Sequence, residues 1–156
     1  MTESRLNFPP PGHIGVVVKN VERVARCYSA TFGVGPFEIY DFEPLKTWVY
    51  GEEAEPFKLK IGLADMGAVK LELLQVVSGN PLHRKFLETH GEGLQHIGFY
   101  AENYDEWKEY VAGEKIKIIY EAEIEDAVRG RRRAFYMDSR TPGGVLFEIV
   151  ERKKTP

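Results

Sequence analysis

The chain has 156 residues, of which 43% are hydrophobic and 29% charged, and its formal net charge is -3. This composition predicts one globular domain over residues 1–156 and argues against a nucleic-acid partner, because phosphate binding needs an extended basic surface. The single cysteine excludes an intramolecular disulfide. The sequence shows neither an apolar run long enough for a membrane span nor a signal-like segment, so we expect no membrane partner and a cytoplasmic location.

In chain order, the first half reads as a strand, a helix and further strands. Residues 13–19 are β-branched and apolar, as in a buried strand. Asn20 is a plausible N-cap for a helix that ends at Gly33. Residues 43–56 contain two prolines and four acids and are predicted to be an irregular, mobile loop. The remaining strands of this half are predicted at residues 37–41, 57–64 and 69–77.

The second half repeats this order after a linker, residues 78–93, that contains a short helix from residue 81 to 89. His83 and His90 lie in this linker and are predicted to be surface residues. Asn103 is a candidate N-cap for a helix over residues 104–111. The strands of this half are predicted at residues 96–101, 117–124, 133–138 and 145–151.

A repeated motif connects the two halves. The tripeptide His13-Ile14-Gly15 recurs 83 positions later as His96-Ile97-Gly98. Each copy is followed by a strand-like run with one interior glutamate, Glu72 in the first and Glu148 in the second, 76 positions apart. The sequence therefore predicts an α+β fold of two tandem βαβββ modules, about residues 13–77 and 96–151.

Strand periodicity places the repeated histidines and glutamates on one face. Side chains alternate along a strand, so the apolar residues beside each His and Glu can pack on the helices while His13, Glu72, His96 and Glu148 face the concave interior. A buried carboxylate is costly unless it is paired or bound to a metal. Two imidazoles and two carboxylates suit a divalent Zn, Ni, Co, Mn or Fe ion. Alternatively, the histidines cap strand starts and the glutamates are salt-bridged or exposed.

Several motifs resemble the vicinal oxygen chelate superfamily, which includes glyoxalases, bleomycin-resistance proteins and extradiol dioxygenases. The runs at residues 70–74, 80–82, 85–87, 91–97 and 143–149 are most similar to its methylmalonyl-CoA epimerase-like branch. The resemblance implies that the modules form a curved-sheet cleft, as in the glyoxalase-like fold. It also implies a divalent metal at the floor of this cleft, held by residues matching His13, Glu72, His96 and Glu148, with two positions left for substrate oxygens. It also implies a homodimer, an expectation that open sheet edges support.

The resemblance has one departure. The epimerase branch carries a second catalytic glutamate on the third strand of the first module, where this chain has Lys58 and Lys60. Lysine is a poor base unless its pKa is strongly depressed. The departure argues against methylmalonyl-CoA itself as the substrate and leaves metal-assisted proton chemistry open.

The expected function is that of a metal-dependent isomerase, epimerase or lyase that moves a proton next to a carbonyl. Its substrate would be a small molecule such as a CoA thioester or a hemithioacetal, with Glu148 or Glu72 as the catalytic base. A non-catalytic small-molecule-binding module and, less favoured, a ring-cleaving dioxygenase are the alternatives.

Arg129 and Arg131–Arg133 are either a clamp for a substrate anion or a solvated hairpin paired with Glu123, Glu125 and Asp126. Tyr100 is expected either to reach the cavity or to pack in its wall.

Overall fold

The computed structural model describes residues 6–79 and 81–154. Asn80, part of one motif used above, lies outside the described residues, as do both chain ends, so a single domain over residues 1–156 stays a prediction. The elements in chain order are β1 (Pro11–Val17), α1 (Val21–Phe32), β2 (Glu38–Phe42), β3 (Lys46–Val49), β4 (Glu52–Ala54), β5 (Lys58–Met66), β6 (Val69–Ser78), α2 (Pro81–His90), β7 (Gly93–Ala101), α3 (Tyr104–Gly113), β8 (Ile118–Asp126), β9 (Gly130–Met137) and β10 (Leu146–Glu151).

The strands form one mixed sheet in the order β2-β5-β6-β1-β7-β10-β9-β8-β3-β4. Its centre is the antiparallel pair β1 and β7, which are the two strands that carry the repeated tripeptide. From this pair, β6, β5 and β2 follow on one side and β10, β9 and β8 on the other. Each central strand is parallel to its outer neighbour. The predicted fold class, two tandem βαβββ units around a curved-sheet cleft, is confirmed.

The helices α1 and α3, one from each module, cover the convex face of this sheet. In the first module, α1 packs Val21 and Ala25 against Leu73. In the second, α3 packs Trp107 among residues that include Phe135 and Ile149. The opposite, concave faces of both modules share one buried cluster, and the sheet therefore curls around a common interior. That cluster includes Phe57, Leu59, Ile61 and Leu74 from the first module and Tyr120, Ala122, Tyr136 and Val150 from the second.

The two helix starts differ in their capping. The side chain of Asn20 accepts a hydrogen bond from the Arg23 backbone N–H at 2.9 Å, so the predicted cap of α1 is confirmed. Asn103 makes no such bond. Its Nδ2 instead donates to Glu106 Oε2 at 3.0 Å. The symmetry of the two modules therefore does not extend to this detail.

The prediction of an irregular loop at residues 43–56 is wrong, because this segment contains the hairpin of β3 and β4. Tyr50 and Gly51 have φ angles of 47° and 80°, and together they form a two-residue turn of the kind that suits hairpins. The buried Thr47 hydroxyl donates to the carbonyl oxygen of Ala54 at 3.0 Å. Since β3 pairs with β8, the chain crosses from β2 at one end of the sheet to the other end. There the hairpin adds two strands to those of the second module.

The arginine run divides between the two faces of β9. Arg132 pairs with Asp126, one of its predicted partners, at 3.2 Å. Arg133 instead lies on the convex face, where it binds Asp105 at 2.8 Å and Glu151 at 2.8 Å. Its guanidinium also stacks 4.4 Å from the centre of the Tyr104 ring. The expectation that the whole run pairs with acids of β8 is therefore wrong for Arg133.

We expect Arg133→Gln to lower the free energy of unfolding. The partly buried pair with Glu151, which has two short hydrogen bonds, contributes about 1–2 kcal/mol after allowance for solvent screening. Arg131→Gln, an exposed neighbour on the same strand, is the matched control and should change stability little. Urea titration of the three proteins at pH 7 measures the difference, and equal stabilities would contradict the structural role of Arg133.

The same variant has a predicted pH dependence. Hydrogen bonds from Arg133 hold the pKa values of Glu151 and Asp105 below their usual ranges. A depressed carboxylate pKa contributes stability above its unfolded-state value and loses that contribution as pH falls through the folded-state value. The gap between wild type and Arg133→Gln should therefore shrink below about pH 4. A gap that stays constant down to acid unfolding would show that the charge pair is not its source.

Candidate metal centre

The repeated tripeptide has a geometric reason. In the antiparallel register of β1 and β7, His13 lies opposite Gly98 and Gly15 lies opposite His96. A Cβ atom added to Gly98 would lie 1.9 Å from Cε1 of His13, and one added to Gly15 would lie 2.0 Å from Cε1 of His96. Each glycine therefore leaves the space that the other copy's imidazole occupies. The motif brings both rings to the middle of the sheet, side by side on its concave face.

The two glutamates arrive from the strands that flank this central pair, Glu72 from β6 and Glu148 from β10. The Nε2 atoms of His13 and His96 are 3.1 Å apart. Glu148 Oε2 lies 2.9 Å from the first of these and 3.4 Å from the second, and Glu72 Oε2 lies 3.4 Å from both. The structure thus brings together all four residues that the repeat singled out.

These separations fit donors around one cation. Ligand bonds of about 2.1 Å place neighbouring donors about 3.4 Å apart in a tetrahedron and about 3.0 Å apart in an octahedron. The five observed distances, those between the two Nε2 atoms and from each of them to Glu72 Oε2 and Glu148 Oε2, are 2.9 to 3.4 Å. His13, Glu72 and His96 offer donor atoms that all lie within 4.8 Å of one another and could hold a metal ion; Glu148 is not part of this three-residue group. The donor set, nitrogen and carboxylate oxygen without sulfur, fits a divalent metal.

The hydrogen bond behind His96 favours a free lone pair on its Nε2. Nδ1 of His96 lies 3.1 Å from Oε1 of Gln95, an acceptor, so the neutral ring carries its proton on Nδ1. Nδ1 of His13 lies 3.2 Å from the Tyr100 hydroxyl. Partners of this kind fix ring orientation and tautomer in metal sites. Tyr100 thereby contacts the site directly and lines the cavity beside it.

The opposite charges of the cluster shift one another's pKa values. Burial acts to lower the pKa of His13, but the Glu72 and Glu148 carboxylates outweigh it and raise that pKa to about 9. Burial acts to raise the pKa of Glu72, while the two histidines hold it below its usual range. Without a cation Glu72 is thus ionised and His13 retains a proton. A bound divalent cation supplies the same compensating charge.

The prediction that His83 is a surface residue is wrong. Its ring is 3% exposed, stacks 6.1 Å from that of His96, and places Nδ1 2.7 Å from Gln95 Oε1. Burial lowers its pKa to about 4, so the ring is neutral at physiological pH. The signal was available, because His83 precedes Phe86 and Leu87 by three and four positions and so shares their apolar helix face. His90, by contrast, is exposed as predicted.

A cavity of about 80 Å³ lies next to the four-residue cluster, inside the curled sheet. It has room for only a few water-sized groups. His13, Glu72, His83 and Glu148 form part of its lining. The rest of the wall is mainly aromatic and aliphatic, with side chains that include Tyr40, Phe42, Phe57, Leu59, Ile61, Tyr120 and Tyr136.

Lys58 and Lys60 do not face this cavity, so they do not stand in for a cleft-facing base. Side chains alternate along β5, and the cavity-facing positions are the leucine and isoleucine residues between and beyond the lysines, namely Leu59, Ile61 and Leu63. Lys60 Nζ instead lies 3.3 Å from Glu22 of α1, and Lys58 Nζ lies 3.9 Å from Glu43. The β5 wall of the cavity therefore offers no proton-transferring side chain.

Comparison with known proteins decides the family. The model of the Glyoxalase/Bleomycin resistance protein/Dioxygenase superfamily matches residues 12–135. The chain belongs to this superfamily. The matched region includes His13, Glu72 and His96 and ends before Glu148. An uncharacterized protein of Bacillus subtilis (strain 168), YqjC, is 28% identical over 142 residues, which cover 90% of this chain and 91% of the relative.

Solved structures of low sequence identity share the superfamily fold. A hypothetical protein from Bacillus halodurans C-125, BH1468, is 24% identical with a TM-score of 0.64, over 94% of this chain and 96% of that one. A variant of Streptomyces coelicolor methylmalonyl-CoA epimerase, in complex with 2-nitronate-propionyl-CoA, is 22% identical with a TM-score of 0.66, over 95% of this chain and 100% of that one. Among the described residues, no helix has both the length and the apolar character of a membrane span. The homodimer and the cytoplasmic location stay predictions.

Proposed function

We propose that this protein is a metal-dependent isomerase, epimerase or lyase that moves a proton next to the carbonyl of a small-molecule substrate. The observation that carries the proposal is that two imidazole nitrogens lie 3.1 Å apart beside a cavity, and that an oxygen of Glu72 and an oxygen of Glu148 each lie 2.9 to 3.4 Å from both nitrogens. His13, Glu72, His96 and Glu148 are the proposed metal ligands. When bound, a divalent cation supplies Lewis acidity, which polarises a carbonyl oxygen and favours loss of the adjacent proton.

Glu72 and Glu148 are the carboxylates among the residues that line the cavity, so one of them is the proposed base. The transferred proton would reside on one of that residue's Oε atoms and return from there to the substrate. Tyr136 lies directly opposite Glu148 in the β9–β10 register. Burial and the charge of Glu148 raise the pKa of Tyr136 well above its usual value, so the hydroxyl stays protonated and able to donate.

The wall of the cavity contributes by excluding water. Phe57, Tyr120 and Ile124 belong to the buried concave cluster and line the cavity beside the four ligands. Charges interact more strongly in such surroundings, and a reactive carbanion-like species is shielded from bulk water. The cavity of about 80 Å³ accommodates the reacting head of a substrate but not a long tail.

The substrate classes that we favour are 2-substituted acyl thioesters, including CoA thioesters, and hemithioacetals. Epimerases of the same fold are known in complex with 2-nitronate-propionyl-CoA and with methylmalonyl-CoA, which supports a CoA thioester as one of these classes by analogy. The apolar β5 wall argues for a single carboxylate acting from the ligand cluster rather than for two bases on opposite walls.

Solvent deuterium exchange tests the proposal. Metal-loaded protein in D₂O should introduce deuterium into at least one member of a panel of 2-substituted malonyl thioesters and hemithioacetals. Glu72→Gln and Glu148→Gln each keep an oxygen donor but cannot accept a proton. We expect the variant at the base to lower exchange by about 100-fold or more while it retains metal. Glu109→Gln, exposed on α3, is the matched control.

The outcomes separate the candidates. Exchange that a chelator abolishes and metal restores supports the proposal, and exchange unaffected by the chelator or by either glutamine variant refutes it. Saturable ligand binding without exchange or turnover favours the non-catalytic binding module. The apolar cavity wall is also suited to binding without catalysis. Oxygen uptake with Fe(II) and catechols would instead indicate a ring-cleaving dioxygenase. Such an enzyme needs only two histidines and one carboxylate as ligands, so Glu72 would not be required.

A further inference from the structure

A second, open pocket lies at the entrance to the cavity. Its volume is about 450 Å³, and it shares Tyr100, Arg129 and Arg132 with the cavity lining. We call it the vestibule. Five of its seven lining side chains are cationic: Lys70, Arg129, Arg132, Arg152 and Lys153. In a chain whose net charge is -3, this concentration of positive charge at one entrance is a local feature and not a property of the whole surface.

Most of this charge is not neutralised locally. Glu151, the acid in the vestibule lining, is already bound by Arg133 on the convex face. Lys70 pairs with Asp65 at 2.7 Å. Arg129, Arg152 and Lys153 have no side-chain ion pair among the residues that the structure describes. The positive potential of the vestibule is thus available to an anion that enters from solvent.

Arg132 provides the more specific observation. One edge of its guanidinium is held by Asp126, with Nη2 3.2 Å from Oδ2. Its Nε atom is buried and has no hydrogen-bond partner among the described residues. A buried donor without an acceptor is costly. The guanidinium is therefore held in place between the vestibule and the cavity with a donor that lacks an acceptor.

We propose that the vestibule binds an anionic group, a phosphate or a carboxylate, on the substrate whose reacting head reaches the metal cluster. Arg132 and Arg129 are the main contacts, because both line the vestibule and the cavity. A guanidinium suits either oxyanion, which it can bind through two parallel hydrogen bonds. This inference rests on the proposed function for the identity of the head and extends it to the substrate's charged tail.

Calorimetric titration of the metal-loaded protein with inorganic phosphate and with acetate tests the subsite directly. The wild type should bind at least one of them saturably, and the preferred probe identifies phosphate or carboxylate as the group. Arg132→Gln should weaken that binding about 10-fold, and Arg129→Gln, which removes an exposed and unpaired side chain, should also weaken it. Arg131→Gln, on the opposite face of β9, is the matched control and should bind as the wild type does.

The proposal is overturned if neither probe binds the wild type saturably, or if all three arginine variants bind as the wild type does. A parallel exchange measurement keeps the two proposals distinguishable. Arginine-dependent anion binding without any metal-dependent exchange leaves the subsite standing and refutes the proposed function. Metal-dependent exchange with equal affinity in all arginine variants refutes the subsite alone.

Discussion

Replacement of His96 by alanine should abolish stoichiometric metal binding. His96 is fully buried, and its Nε2 lies within 3.4 Å of the other three proposed donors. Loss of outer-shell partners alone costs metal sites about 10- to 100-fold in affinity, so loss of a ligand should cost more than ~100-fold. Metal content after dialysis, measured by mass spectrometry, should fall from one ion per chain to a small fraction.

His90→Ala is the matched control for this variant. His90 is the exposed histidine at the end of α2 and has no contact with the cluster. It should retain one ion per chain. Circular dichroism establishes whether His96→Ala remains folded, and a folded His96→Ala protein with undiminished metal content would contradict the assignment of this ligand.

Gly98→Ala should impair the site without removing any ligand. The added methyl group would lie 1.9 Å from His13 Cε1, and the ring of His13 would have to move away from the other donors. Overpacking of this kind costs about 1–3 kcal/mol of stability. Metal affinity should also fall by about 10-fold or more, because Nε2 of the displaced ring would no longer lie at bonding distance from a cation held by the other donors.

Gly93→Ala in the same strand isolates the steric effect. A Cβ atom at Gly93 would meet no heavy atom within 4 Å, so this variant should keep both stability and metal affinity. Competition with a metal indicator measures the affinity of both variants, and chemical unfolding measures their stability. Equal metal affinities for Gly98→Ala and the wild type would show that His13 is not held against Gly98 as described.

The cluster of His13, Glu72, His96 and Glu148 could be predicted because it depends on two rules that short sequence segments reveal. Strand periodicity fixes which face a side chain takes, and Glu72 and Glu148 each lie between apolar residues that belong to a helix-facing cluster: Leu71 and Leu73 in the first module, Phe147 and Ile149 in the second. The repeat then relates the two halves. Each pattern is visible in a segment of a few residues, and so the cluster and the module order followed from the sequence.

The features that were missed depend mainly on contacts between distant parts of the chain. The hairpin at residues 43–56 forms because β3 finds a partner in β8, more than seventy positions away, which no local pattern reveals. His83 is buried because α2 packs near the concave interior. Whether Lys58 and Lys60 replace the second glutamate of the epimerase branch was left open by the sequence analysis. The alternation of β5 answers this question, because the cavity-lining residues of the strand are Leu59, Ile61 and Leu63.

The central claim is that His13, Glu72, His96 and Glu148 hold one divalent cation, and anomalous diffraction from metal-soaked crystals tests it most directly. Data collected on both sides of the metal's absorption edge should show one peak per chain between the four side chains, with each donor about 2.0–2.2 Å from the ion. A peak elsewhere, or no peak at this position at saturating metal, would contradict the claim.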